Sequence, residues 1–129
     1  MTRFTDILFG ACLGAVATGA AVVLAEVPTM DPVKLSPQYY KVRLDNARVR
    51  VLEYRLKPGE KEVMHSHPEG VVFVLADVSI KTTRAEGTVD THSSLQGDVT
   101  WRDALTHSAE NVGTTEAHAW AVELKHSAK

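Results

Sequence analysis

The sequence predicts an all-β domain, a small barrel or two-sheet sandwich, on three observations. From Tyr39 onward no apolar pattern keeps a helical period. Short runs instead alternate apolar and polar residues, or are continuously β-branched. Turn-forming residues separate these runs at short spacing, as in sandwiches and barrels.

The strands follow in order. Tyr40 to Leu44 alternates, Asp45-Asn46 suits a tight turn, and Val49 to Leu56 forms the second strand, ended by Pro58-Gly59. Val71 to Leu75 is continuously apolar and reads as a strand buried on both faces. Val78 to Thr83, Thr88 to His92, Val99 to Trp101 and Ala117 to Leu124 complete the set, with Glu86-Gly87 as a turn. The domain therefore spans 39–125, and 126–129 is a short tail.

Residues 1–25 stand outside this domain. Positions 7–25 carry no charge and are rich in Ala, Val and Leu, behind Arg3. This is a hydrophobic helical segment, read as a cleaved signal peptide ending in Val23-Leu24-Ala25 or as an uncleaved signal anchor. Either places the domain outside the cytoplasm, periplasmic or secreted. Gly10 and Gly14 have the spacing of a membrane helix-packing motif, a match that an Ala/Gly-rich stretch makes cheaply. Residues 26–38 contain Pro28, Pro32 and Pro37 and read as an extended linker or arm.

Composition excludes several functions. The 129 residues carry 14 Lys and Arg against 16 Asp and Glu, a net charge of −2, so there is no basic excess to attract nucleic acid. The one cysteine, Cys12, lies in the apolar segment, leaving the domain no thiol chemistry and no Cys-based zinc site. No phosphate-binding loop and no Ser-His-Asp spacing is present.

The histidines carry the chemical signal. In a strand, His65 and His67 project to one face, ~6–7 Å apart along the chain. Two imidazoles so placed can converge on a divalent ion, with Fe, Mn, Ni, Cu and Zn all compatible. His92 reads as an exposed turn residue. His118 shares strand parity with Trp120, Val122 and Leu124, and reads as a partner-satisfied core or interface histidine. Tyr54, Phe73 and Trp101 read first as core residues and, with Met64, as the candidate lining of any pocket the barrel carries. Asp103 and Glu110 read as solvated loop acids.

The pattern Gly59, His65-Ser66-His67-Pro68 and the apolar run from Val71 resembles the first motif of the cupin superfamily, G-x5-H-x-H-x(3,4)-E-x6-G. Gly97 and His107-Ser-Ala-Glu-Asn111 resemble the ends of the second, G-x5-P-x-G-x2-H-x3-N. The resemblance covers nearly all of the domain and implies a small cupin-type β-barrel, a double-sheet jelly roll. It implies His65, His67 and His107 as metal ligands, with His107 on a loop that Asn111 shapes. The sequence departs from the motifs in three ways. Val71 or Val72 stands where the first motif has its glutamate, Asp103 and Leu105 replace the second motif's Pro and Gly, and His107 comes one residue early. Three neutral imidazoles remain, similar to the three-His iron sites of some cupin dioxygenases. Glu69 is the preferred replacement acid, because strand parity points Glu62 away from the His65 face.

The resulting expectation is an exported, metal-binding cupin acting as a small-molecule metalloenzyme of dioxygenase, isomerase or lyase type. A non-catalytic binding or sensing module is the first alternative, favoured by the lost glutamate. A membrane-anchored accessory subunit is the second. A homodimer is the expected assembly, paired through edge strands, with the arm from Val27 to Tyr40 crossing to the partner.

Overall fold

The computed structural model describes residues 30–126; the expected signal segment, Cys12 and most of the tail lie outside them. Tyr40–Asp45 (β1) and Val49–Leu56 (β2) form the first hairpin. Its turn is held by the Asn46 side chain, whose Oδ1 accepts from the N–H groups of Arg48 and Val49. The remaining strands are His65–His67 (β3), Gly70–Val74 (β4), Val78–Arg84 (β5), Val89–Ser94 (β6), Val99–Arg102 (β7), Leu105–Asn111 (β8) and Ala117–Leu124 (β9). They pair antiparallel into two sheets, β1-β2-β9-β4-β7 and β3-β8-β5-β6.

The sheets meet face to face as a jelly roll. Their shared core joins Leu56 of β2, Ile80 of β5, Ala109 of β8 and Ala117 of β9, with Tyr39, Tyr54 and Val78 packed against it. This core fills one end of the sandwich. Toward the other end β9 presents Ala119 and Ala121 inward, and these short side chains leave a cavity of about 430 Å³ between the sheets.

Several sequence expectations change here. Strand β4 is not buried on both faces: Val72 and Val74 line the cavity, whereas Phe73 and Leu75 point outward, 40% and 39% exposed. On β9 the buried residues are Ala117, Ala121 and Glu123, so the apolar row of Trp120 and Val122 lies on the outer face. His118 belongs to that outer row and is satisfied there by Glu53, Nε2 to Oε1 3.0 Å. His92 stands on a strand, not a turn, and its ring is more than half exposed.

The described part of the proline-rich arm, from Met30 onward, makes contacts with its own domain. Met30 O accepts from Ser66 N at 2.8 Å, and Asp31 holds Arg50 at 3.0 Å. Asp31 also caps the single helical turn Pro32–Leu35 (α1), accepting from Val33 N at 3.0 Å.

Gly70 allows the close approach of β4 and β9. A Cβ there would sit 2.0 Å from the Val122 carbonyl oxygen, a contact that only backbone movement can relieve. Gly70→Ala is therefore expected to cost about 2 kcal/mol or more in urea unfolding, at the upper end of overpacking costs. A cost below ~0.5 kcal/mol would show that the strands are less tightly joined.

Candidate metal centre

Strands β3 and β8 build the site. His65 lies directly opposite His107 in their register, and His67 follows two residues on, so all three rings share one face, with His67 and His107 lining the cavity. One ring nitrogen from each lies within 4.8 Å of the others. His107 therefore stands on a strand and not on a loop. Asn111, expected to shape a loop around His107, instead organises the connection after β8: its Nδ2 donates to Leu56 O and Thr115 O at 2.8 Å, and its Oδ1 accepts from Gly113 N.

Hydrogen bonds set the tautomers. His65 Nδ1 donates to Val63 O at 2.8 Å, and a carbonyl can only accept. His67 Nδ1 donates to Glu123 Oε1 at 2.7 Å. Burial pushes the Glu123 carboxyl up, but the bonds from His67 and Arg50 outweigh that and keep it below the usual glutamate value. Both Nε2 atoms are therefore unprotonated, and they face one another at 2.9 Å. Two lone pairs at that distance repel unless a cation lies between them; the Tyr40 hydroxyl, 3.2 Å from His65 Nε2, can satisfy only one. Both nitrogens of His107 are buried without a hydrogen-bond partner.

A proton is a poor candidate for that cation. Burial lowers the His65 pKa, lowers that of His67 to about 4, and, with His65 and His67 adding their charge, lowers that of His107 to about 3. A divalent transition metal fits. His65, His67 and His107 would hold it through neutral imidazole nitrogens, common ligands of such ions. The Nδ1 bonds to Val63 and Glu123 are the outer contacts that orient metal-binding histidines.

The acid beside the histidines is Glu62, and not Glu69. Between Lys61 and His65 the chain makes an isolated bridge and then leaves the extended ladder, so strand parity does not carry through. Glu62 is 2% exposed, with Oε1 3.9 Å from His65 Nε2 and 3.2 Å from the Tyr54 hydroxyl that donates to it. Burial raises its pKa to about 7, and its Oε2 has no partner. Glu69 instead pairs with His126 at the surface, 3.2 Å away.

Of the expected lining residues, Tyr54 and Trp101 border the cavity, whereas Met64 and Phe73 do not. Trp101 stands at the rim, its Nε1 donating to Asp103 Oδ1 at 2.9 Å. The sequence reading did not find Glu123 or Arg102. Arg102, Gly70, Glu123 and Arg50 form one inward row across β7, β4, β9 and β2. Arg50 binds Glu123 at 2.7 Å and Asp31 at 3.0 Å. Strand parity was the one signal for Glu123, an acid in an otherwise Ala-rich inward row.

No protein-family model matches the chain, and no curated protein matches it. Among solved structures it is similar to a cupin domain from Bordetella pertussis Tohama I, at 28% identity and TM-score 0.62, covering 67% of this chain and 92% of that one. A protein with a double-stranded β-helix domain from Klebsiella pneumoniae gives 20% identity and TM-score 0.54, covering 70% and 74%. A cupin family protein from Methanocaldococcus jannaschii gives 12% and 0.55, covering 67% and 79%.

The buried histidines make stability pH-dependent. Unfolded imidazoles take up protons near pH 6.5, whereas folded His67 and His107 resist until about 4 and about 3. Below pH 6.5 the unfolded state therefore binds more protons, and stability falls as pH falls. Glu62 opposes this: folded at about 7 against 4.5 unfolded, it favours the folded state at low pH and loses that effect as pH rises to 7. One carboxyl against several imidazoles leaves a net loss. In urea unfolding of metal-free protein, stability is expected to be lower at pH 5 than at pH 7, with a smaller difference in His107→Gln. Equal stability at both values would contradict buried, neutral imidazoles.

Proposed function

We propose that this chain, a member of the cupin superfamily, holds one divalent transition metal (Fe, Mn, Ni, Cu or Zn) on His65, His67 and His107 and acts as a small-molecule metalloenzyme. The observation that carries this reading is the pair of unprotonated Nε2 atoms facing each other at 2.9 Å beside a His107 with no partner. A bound ion of this kind supplies a Lewis acid that polarises a ligand oxygen.

The surrounding residues support chemistry over simple storage. Glu62 has an ordinary pKa displaced to about 7 by burial, so near neutral pH it can both accept and release a proton at its unpartnered Oε2. Tyr40 and Tyr54 are pushed well above their usual pKa by burial and the nearby Glu62, so they remain hydrogen-bond donors. The cavity admits a small organic molecule, with apolar walls from Val72, Val74 and Ile80. Trp101 and Asp103 border its mouth.

The uncharged stretch at residues 7–25 supports export, as a cleaved signal or as an anchor. Among the described residues no helix is long and apolar enough to cross a membrane. A homodimer is part of this reading. The outer face of the five-stranded sheet carries a continuous apolar row, with Phe73 registered between Val99 and Trp120 and Val71 between Trp101 and Val122. Trp101 is 55% and Val99 59% exposed there. Sedimentation at micromolar concentration is expected to give a dimer; a monomer would remove this part of the proposal.

The metal reading is tested by thermal unfolding at pH 7.5 with chelator and with excess Co²⁺, Ni²⁺ or Zn²⁺. At least one ion is expected to raise the Tm by several degrees in the wild type. It is expected to have no such effect in His65→Ala/His67→Ala. Identical shifts in both proteins would place the metal elsewhere and refute the assignment.

A further inference from the structure

Arg102 is a charged side chain of the cavity that the metal reading leaves without a task. Its Nε is buried and has no hydrogen-bond partner. Its closest carboxylate is Glu123, whose Oε1 lies 3.5 Å from NH2, at the outer limit of a hydrogen bond. Glu123 is already committed: Oε1 accepts from His67 at 2.7 Å, and Oε2 accepts from Arg50 Nε at 2.8 Å. The other nearby acid, Glu62, is engaged with Tyr54. Gly70 stands between Arg102 and Glu123 in the inward row, so no side chain there covers the guanidinium. Arg102 lines the same cavity as His67 and His107. The side chain as a whole is 19% exposed.

We infer that Arg102 is the anion-binding half of the site, and that the substrate class is a small organic carboxylate bearing a second oxygen. The carboxylate takes the guanidinium donors that the protein leaves unfilled, and the second oxygen faces the histidine cluster. Three neutral imidazoles supply no negative charge to a divalent ion, and Val72 offers an apolar wall on the same cavity. An entering anion answers both charges at once. The walls Val74, Ile80, Ala109, Ala119 and Ala121 suit a short apolar body. The second contact rests on the metal proposal; the Arg102 contact does not.

The experiment uses the full chain loaded with Co²⁺, whose visible absorption reports the ion's surroundings, titrated with lactate, pyruvate and the neutral lactamide. The acids are expected to change the spectrum saturably and lactamide to bind far more weakly. Arg102→Gln is expected to weaken acid binding at least about tenfold, the loss of a charge-assisted pair. Arg102→Lys should fall between. Val72→Glu supplies an internal carboxylate and should suppress acid binding while cobalt is retained, a variant that leaves the Arg102 row intact. Equal acid affinity in wild type and Arg102→Gln, or equal binding of lactamide, overturns the inference. If no cobalt binds, the metal reading fails separately. Calorimetric titration of the metal-free chain then decides the Arg102 contact: lactate binding lost in Arg102→Gln upholds it, and no lactate binding refutes it.

Discussion

The structure turns on two lone pairs aimed at each other. His65 and His67 each spend their Nδ1 proton on an acceptor, a backbone carbonyl in one case and Glu123 in the other. The bare Nε2 atoms are left 2.9 Å apart and buried. Burial disfavours a proton between them, so the arrangement makes physical sense around a metal cation. The pairing of β3 with β8 then has a further consequence, because it brings His107 opposite His65 as a third donor.

The larger sheet supplies the support. Strand β9 alternates inward Ala117, Ala119 and Ala121 with outward bulk, then places Glu123 behind His67. The same carboxylate anchors Arg50, which Asp31 of the N-terminal arm clamps from the other side. The arm is thus tied to the histidine cluster through two ion pairs, Asp31 to Arg50 and Arg50 to Glu123, and the hydrogen bond from neutral His67 to Glu123. Removing one member of such a buried network typically costs ~3–5 kcal/mol, because the remaining charge is left uncompensated.

Much of this was legible in the sequence, for identifiable reasons. Period-two alternation located β1, β2 and β9, and the His65-Ser66-His67 spacing put two imidazoles on one face. His107 was found through its distance from Asn111, though β8 itself was missed because Leu105–Asn111 is largely polar and lacks a β-branched alternation. Parity failed where the chain left the ladder, before His65, and so the buried acid was assigned to Glu69 instead of Glu62. Continuous hydrophobicity misled for β4, whose outward Phe73 belongs to an exposed apolar face. Arg102 and Glu123 meet only through strand order, β7 beside β4 beside β9, which no local pattern encodes.

The most direct test is the metal content of the full-length chain, purified without added metal and measured by mass spectrometry beside His107→Ala. Near-stoichiometric Fe, Mn, Ni, Cu or Zn in the wild type, sharply reduced in the variant, is the predicted result. Absence of metal from the wild type even after reconstitution would contradict the account and leave the facing imidazoles without the cation that their geometry calls for.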